Sequence, residues 1–148
     1  LNFVTNLLNM ILLLYGVLYF VDSGTVLHFP PIIQAVALAS FLGLGIGTLN
    51  SVLSGLFPVW ANVWKIVTRP LMIASAVIYI PEDLPQAAQD ILWWNPLVHL
   101  TGLFRTGVYA SYHPQYVSQP YVFGIALVTL AFGLLFMRAY HSEIVNMD

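Results

Sequence analysis

The sequence predicts an all-α protein that crosses a membrane several times, and three observations predict it. Only 7% of the 148 residues are charged, and 59% are hydrophobic. An average soluble domain carries roughly a quarter charged residues, so this chain has too few to build a water-facing surface. Apolar runs recur along the whole length, and the breaks between them hold Pro, Gly, Asp and Asn. The formal net charge of -2 supplies no basic face for nucleic acid. With no cysteine, there is no disulfide framework, thiol nucleophile or thiolate metal site.

Four spans are expected, at about residues 3–21, 31–56, 66–80 and 121–137. About 20 helical residues at a rise of roughly 1.5 Å cover a hydrocarbon core of roughly 30 Å. In the first run, Asn6 and Asn9 share a helical face, as do Tyr15 and Tyr19. The asparagines read first as an interhelical hydrogen bond and second as the lining of a pathway, and the tyrosines as packing residues. Asp22, Ser23 and Gly24 end this run, and Pro30–Pro31 restart the chain, because proline is tolerated in a first helical turn. The second run carries Gly43, Gly45 and Gly47. Their spacing is not that of a nucleotide loop. Small residues let helix backbones approach in lipid, and all three read as packing positions. Residues 57–65 read as a connection with Trp60 and Trp64 at an interface. The third run is short, contains Pro70 and stops at Pro81.

The first residue is Leu1, and no basic segment or cleavage site precedes the first apolar run. That run is therefore not read as a signal peptide, and the chain is expected to be the C-terminal part of a longer one. Lys65, Arg69 and Arg138 flank spans on one side, while Asp22, Glu82, Asp83 and Asp90 fall on the other. The positive-inside rule then places both Leu1 and the C-terminus in the cytoplasm.

Residues 84–112, and 93–112 above all, are too broken for a span and too apolar for a soluble loop. A short apolar element between spans reads as re-entrant or interfacial. Here it is expected to close the outer mouth of a pathway through the membrane. The candidate pathway or gate residues are Trp93, Trp94, Asn95, His99, Arg105, Tyr109 and Tyr112. Arg105 is the sharpest of them, because a charge near lipid is costly and marks function by default. It is expected to reach the outer head groups, to pair with Glu82, Asp83 or Asp90, or to meet an anionic substrate through its planar fork. His99 reads first as a bonded packing residue and second as a base. The aromatic side chains form either an interfacial belt or a stacking surface for sugar rings.

Several chemistries lack their motif. Lys65 is the only lysine, and no glycine-rich loop precedes it, so ATP would be hydrolysed by another chain. No His-Glu-x-x-His helix and no Gly-x-Ser-x-Gly turn occurs, so zinc-protease and serine-hydrolase chemistry have no support. No catalytic residue, metal site or cofactor site is expected in this chain.

One ordering of residues resembles a known family. Lys65, Arg69 and Pro70 lie in one span. Pro81, Leu84-Pro85 and Trp94-Asn95-Pro96-Leu97-Val98-His99 follow, then Arg105, Tyr112 and a last span. This order resembles the C-terminal part of ABC transporter type-2 permeases, above all the capsular-polysaccharide export permeases. The resemblance implies a homodimeric permease in the bacterial inner membrane, paired with separate ABC ATP-binding subunits that bind ATP and Mg. It implies a lipid-linked glycan as substrate, with O-antigen or teichoic acid as related cargo. It also implies short re-entrant helices on the periplasmic side, and that the four spans here are the last four of each subunit. Relatives in that family often carry an acidic residue three before the arginine, and here that position is Gly102. A type-2 permease for a drug or lipid, and a membrane enzyme acting on polyprenyl-linked sugars, are the competing readings.

Overall fold

The computed structural model describes residues 28–109 and 111–140, together with Leu8, Ile11 and Leu12. The expected span at 3–21 lies outside the described residues apart from those three, as do Asn6, Asn9, Tyr15, Tyr19 and Asp22. His141, Glu143 and Asp148 of the tail also lie outside them. Every regular element among the described residues is helical. They are α1 (Phe29–Leu56), α2 (Trp60–Ile73), a 3-10 turn (Pro81–Asp83), α3 (Gln86–Trp93), α4 (Pro96–Val108) and α5 (Gln119–Ala139).

Two of these helices, α1 and α5, are long and apolar enough to cross a membrane. The 28 residues of α1 span about 42 Å at roughly 1.5 Å each. Prolines occupy the first turn of both helices, where no intrahelical N–H is required. α1 stops at Leu56 because Phe57 precedes Pro58, and the residue before proline is driven to extended backbone. The start of α1 is tied to the end of α4, where the His28 N–H donates to the Gly107 carbonyl at 2.8 Å.

α1 and α5 pack along their small residues. A Cβ on Gly45 would lie 2.6 Å from the Ala126 carbonyl oxygen, and one on Gly133 would lie 2.9 Å from the Leu49 nitrogen. Phe41 and Phe123 stack beside this contact at 5.3 Å. The core is Leu42, Leu100, Val122 and Ala126, with Leu38, Phe41, Ile46, Leu97 and Ile125 around it. It is therefore built by α1, α4 and α5 together. The reading of three packed glycines is corrected for the α1–α5 contact, because no described residue comes within 4 Å of a Cβ on Gly43 or Gly47. A helix turns about 100° per residue, so positions two apart cannot all face one neighbour. The outer sides of α1 and α5 stay apolar and uncovered, with Leu44 and Leu135 each 62% exposed.

The third expected span is also corrected. α2 covers Trp60–Ile73 rather than 66–80. The connection before it shrinks to residues 57–59, because the Trp60 indole N–H donates to Asn50 Oδ1 at 2.6 Å and fixes the helix start. Fourteen residues reach only about 21 Å. Beyond Ile73 the backbone breaks: Ala76 is left-handed with φ 58°, and Pro81 bars helix at Ile80. No residue of α2 is buried.

Replacing Gly45 with leucine should destabilise the full-length protein in detergent by about 1–3 kcal/mol through overpacking. Gly43→Leu and Gly47→Leu should melt near the wild-type temperature. Equal losses at all three positions would contradict the packing described.

Candidate functional site

The break after α2 presents a chemical problem. The carbonyls beyond the end of a helix have no helical partner, and those that are buried need another one. The side chains of α4 supply the partners. Asn95 caps α4, its Oδ1 accepting from the Leu97 N–H at 3.0 Å, and Pro96 fills the first turn. Its amide donates the other way, to the Ala74 carbonyl at 2.9 Å. The Thr101 hydroxyl lies 2.8 Å from the Ser75 carbonyl and 3.0 Å from that of Val98, a bond it shares between them. Arg105 Nη2 donates to the carbonyls of Ala76 at 2.6 Å, Tyr79 at 2.9 Å and Val77 at 3.2 Å. Three side chains thus hold five carbonyls of residues 74–79. Thr101 and Arg105 lie four apart, hence on one helical face, with Asn95 at the helix start.

The partner of Arg105 is therefore backbone. The expected pairing with Glu82, Asp83 or Asp90 does not form among the described residues. A guanidinium suits carbonyl capture because its donors lie in one fixed plane. The left-handed backbone at Ala76 costs roughly 1–2 kcal/mol, and the charged hydrogen bond to its carbonyl offsets this.

Beside Arg105 is a pocket of about 340 Å³, lined by residues 77–80 on one side and by Tyr109, Ser111 and Tyr112 on the other. The Tyr112 hydroxyl sits 3.0 and 3.1 Å from the two Glu82 oxygens and 3.0 Å from the Tyr116 hydroxyl. Tyr112 donates its single proton to the carboxylate, so Tyr116 donates to Tyr112. Burial raises the pKa of both phenols, and the nearby Glu82 charge adds to this, so both stay protonated. Gly102 gives the Tyr116 ring its seat, since a Cβ there would lie 2.7 Å from the Tyr116 hydroxyl. The position without its acidic residue is thus the one that admits Tyr116.

A second group surrounds His99, which is 1% exposed. The Ser118 N–H donates to Nδ1 at 3.2 Å, and Nε2 lies 2.8 Å from the Trp93 carbonyl. Nδ1 accepts, so the proton is on Nε2 and the ring is neutral. Trp93 and Tyr121 meet this ring edge-on at 5.3 and 5.2 Å. The Tyr121 hydroxyl donates to the Trp94 carbonyl at 2.7 Å. His99 thereby ties the end of α3 to the start of α5.

The seven residues singled out by sequence divide accordingly. Arg105, Tyr109 and Tyr112 line the pocket, and Asn95 secures the break beside it. Trp93 and His99 belong to the aromatic cluster, and Trp94 projects outward at 70% exposure. Sequence reasoning missed Thr101. Its four-residue spacing from Arg105 on an apolar helix was the available signal.

The family model for the ABC-2 type transporter matches residues 1–109, which include α1 to α4 and the whole carbonyl clasp. This chain belongs to that family. It is 30% identical over 119 residues to the polysialic acid transport protein KpsM of Escherichia coli, covering 80% of this chain and 46% of that one. It is 27% identical over 112 residues to the capsule polysaccharide export inner-membrane protein CtrC of Neisseria meningitidis, covering 76% and 42%. The corresponding protein BexB of Haemophilus influenzae is 25% identical over 107 residues, covering 72% and 40%. The chain spans about half the length of the curated relatives it matches. As an ABC-2 family membrane chain it needs no solvated surface on α1 and α5, whose bare apolar sides suit lipid.

Removing the guanidinium should leave the buried Ala76 carbonyl and the half-buried Tyr79 carbonyl unpaired, at about 1–3 kcal/mol for a buried group. Arg105→Ala should therefore lower the melting temperature of the purified full-length protein. Arg105→Lys should recover only part of the loss, because an ammonium cannot reproduce the planar fork. Thr101→Val should cost about 1 kcal/mol. A wild-type melting temperature for Arg105→Ala would contradict the clasp.

Proposed function

We propose that this chain is part of the permease of an ATP-driven exporter that moves a lipid-linked polysaccharide of the capsular kind across a bacterial inner membrane. The observation that carries this reading is the similarity to three proteins named for polysialic acid or capsule polysaccharide export, over 72–80% of this chain. ATP and Mg would be bound by separate ATP-binding subunits, and two permease copies would form the pathway. The C-terminus would be cytoplasmic.

The carbonyl clasp supports four crossings rather than two. Irregular backbone is tolerated at membrane depth only where protein shields it. Residues 74–76 best meet that condition, because Asn95, Thr101 and Arg105 take their carbonyls and Ser75 and Ala76 are buried. Residues 60–80 would then complete a crossing that α2 begins, and residues 3–21 would make another. α3 and α4 would sit at the periplasmic mouth, where the exposed Trp94 suits an interface. No covalent chemistry is assigned to the permease.

The test is deletion of the full-length gene, followed by measurement of surface and intracellular polysaccharide. Surface loss with intracellular accumulation, restored by the wild-type gene, is the expected result. Intact surface glycan with new drug or lipid sensitivity would replace the polysaccharide with another cargo. Loss of polymer everywhere would point to synthesis instead of export.

A further inference from the structure

The two walls of the 340 Å³ pocket are held in different ways. The wall at residues 77–80 is fastened to α4 through Arg105, behind the clasp of Asn95 and Thr101. The opposite wall is made by Tyr109, at the end of α4, and by Ser111 and Tyr112 of the connector to α5. Among the described residues, the side-chain bonds joining residues 109–116 to residues 77–83 are those from the Tyr112 hydroxyl to Glu82. Glu82 is exposed, and a hydrogen bond that water can replace contributes little net stability. One wall is thus fixed, and on the other Tyr109 is bonded to α4 while Tyr112 is held across the opening by a bond that can break at small cost.

Two further observations bear on this arrangement. Tyr116 is prepositioned, seated against Gly102 and bonded to Tyr112, so the chain re-forms in one geometry when it closes. Arg105 Nη1 is buried and has no acceptor among the described residues. The closed arrangement therefore leaves a cationic donor unused on the fixed wall.

We propose that Glu82, Tyr112 and Tyr116 form a latch that holds the connector across the pocket and opens during transport to let Arg105 Nη1 meet an oxygen acceptor on the exported glycan. This rests on the export reading above. When closed, Tyr112 donates to Glu82 and the pocket walls stay together. When open, the Tyr112 ring leaves and the fixed wall keeps its shape, because the clasp does not involve Tyr112. No bond other than hydrogen bonds changes.

The test uses the full-length permease with its ATPase partner, from which any other cysteines have been removed. In Glu82→Cys with Tyr112→Cys, a cleavable bifunctional thiol reagent applied to the folded protein should tie the walls together. Export should stop on crosslinking and return on cleavage. Export that continues unchanged in the crosslinked protein would overturn the latch. A second measurement follows opening without transport. The rate of maleimide labelling of Tyr79→Cys, on the fixed wall, should rise when Tyr112→Phe removes the hydroxyl and keeps the ring. A rise of roughly fivefold corresponds to about 1 kcal/mol for the lost hydrogen bond. An unchanged labelling rate would also overturn the proposal. Failure of the export reading would show separately, as surface glycan that survives gene deletion.

Discussion

The structure depends on satisfying the backbone carbonyls of the irregular stretch that follows the end of α2. α2 stops at Ile73, the Ala74 and Ser75 N–H groups still reach back to the Pro70 and Met72 carbonyls, and from Ala76 to Ile80 no helical bond follows among the described residues. Unpaired carbonyls there would be costly in an apolar setting. The solution is a second short helix whose polar residues aim at those carbonyls. Asn95, Thr101 and Arg105 act as a graded set, one taking Ala74, the next Ser75, and the last Ala76, Val77 and Tyr79. This gives a charged residue a place in an apolar protein without an acidic partner among the described residues.

The clasp requires α4 to be held firmly, and the remainder of the described fold does this. Leu97 and Leu100 of α4 pack into the core formed with α1 and α5. The end of α4 is bonded to the start of α1 through His28 and Gly107. Its first turn is tied to α5 through His99, Trp93 and Tyr121. The close approach of α1 and α5 at Gly45 and Gly133 sets the frame on which α4 rests. Packing of long apolar helices thus positions a small polar site at one end of the fold.

That site combines a fixed part with a lightly held part. The fixed part has several bonds to buried or half-buried backbone, including charged ones, which are the stronger class. The lightly held part has a phenol on an exposed carboxylate. Such a difference in local stability is what a gate needs, since moving elements come from the less stable end of a structure.

The sequence by itself determined the class of protein and the setting of the site. The shortage of charge and the length of residues 29–56 and 119–139 follow from composition and period, which are local properties. The break near Pro81 was legible for the same reason, because proline acts on its own backbone. Only the tertiary structure decided what Arg105 touches. Its carbonyl partners lie 26–29 positions away, and carbonyls are present at every residue, so no residue type signals them. The same holds for Gly102, whose use appears only when Tyr116 is brought across it, and for Gly45, which packs while Gly43 and Gly47 do not. Nor could sequence place the end of α2. That end is set by Ala76 turning left-handed under the grip of a helix that begins 20 residues later.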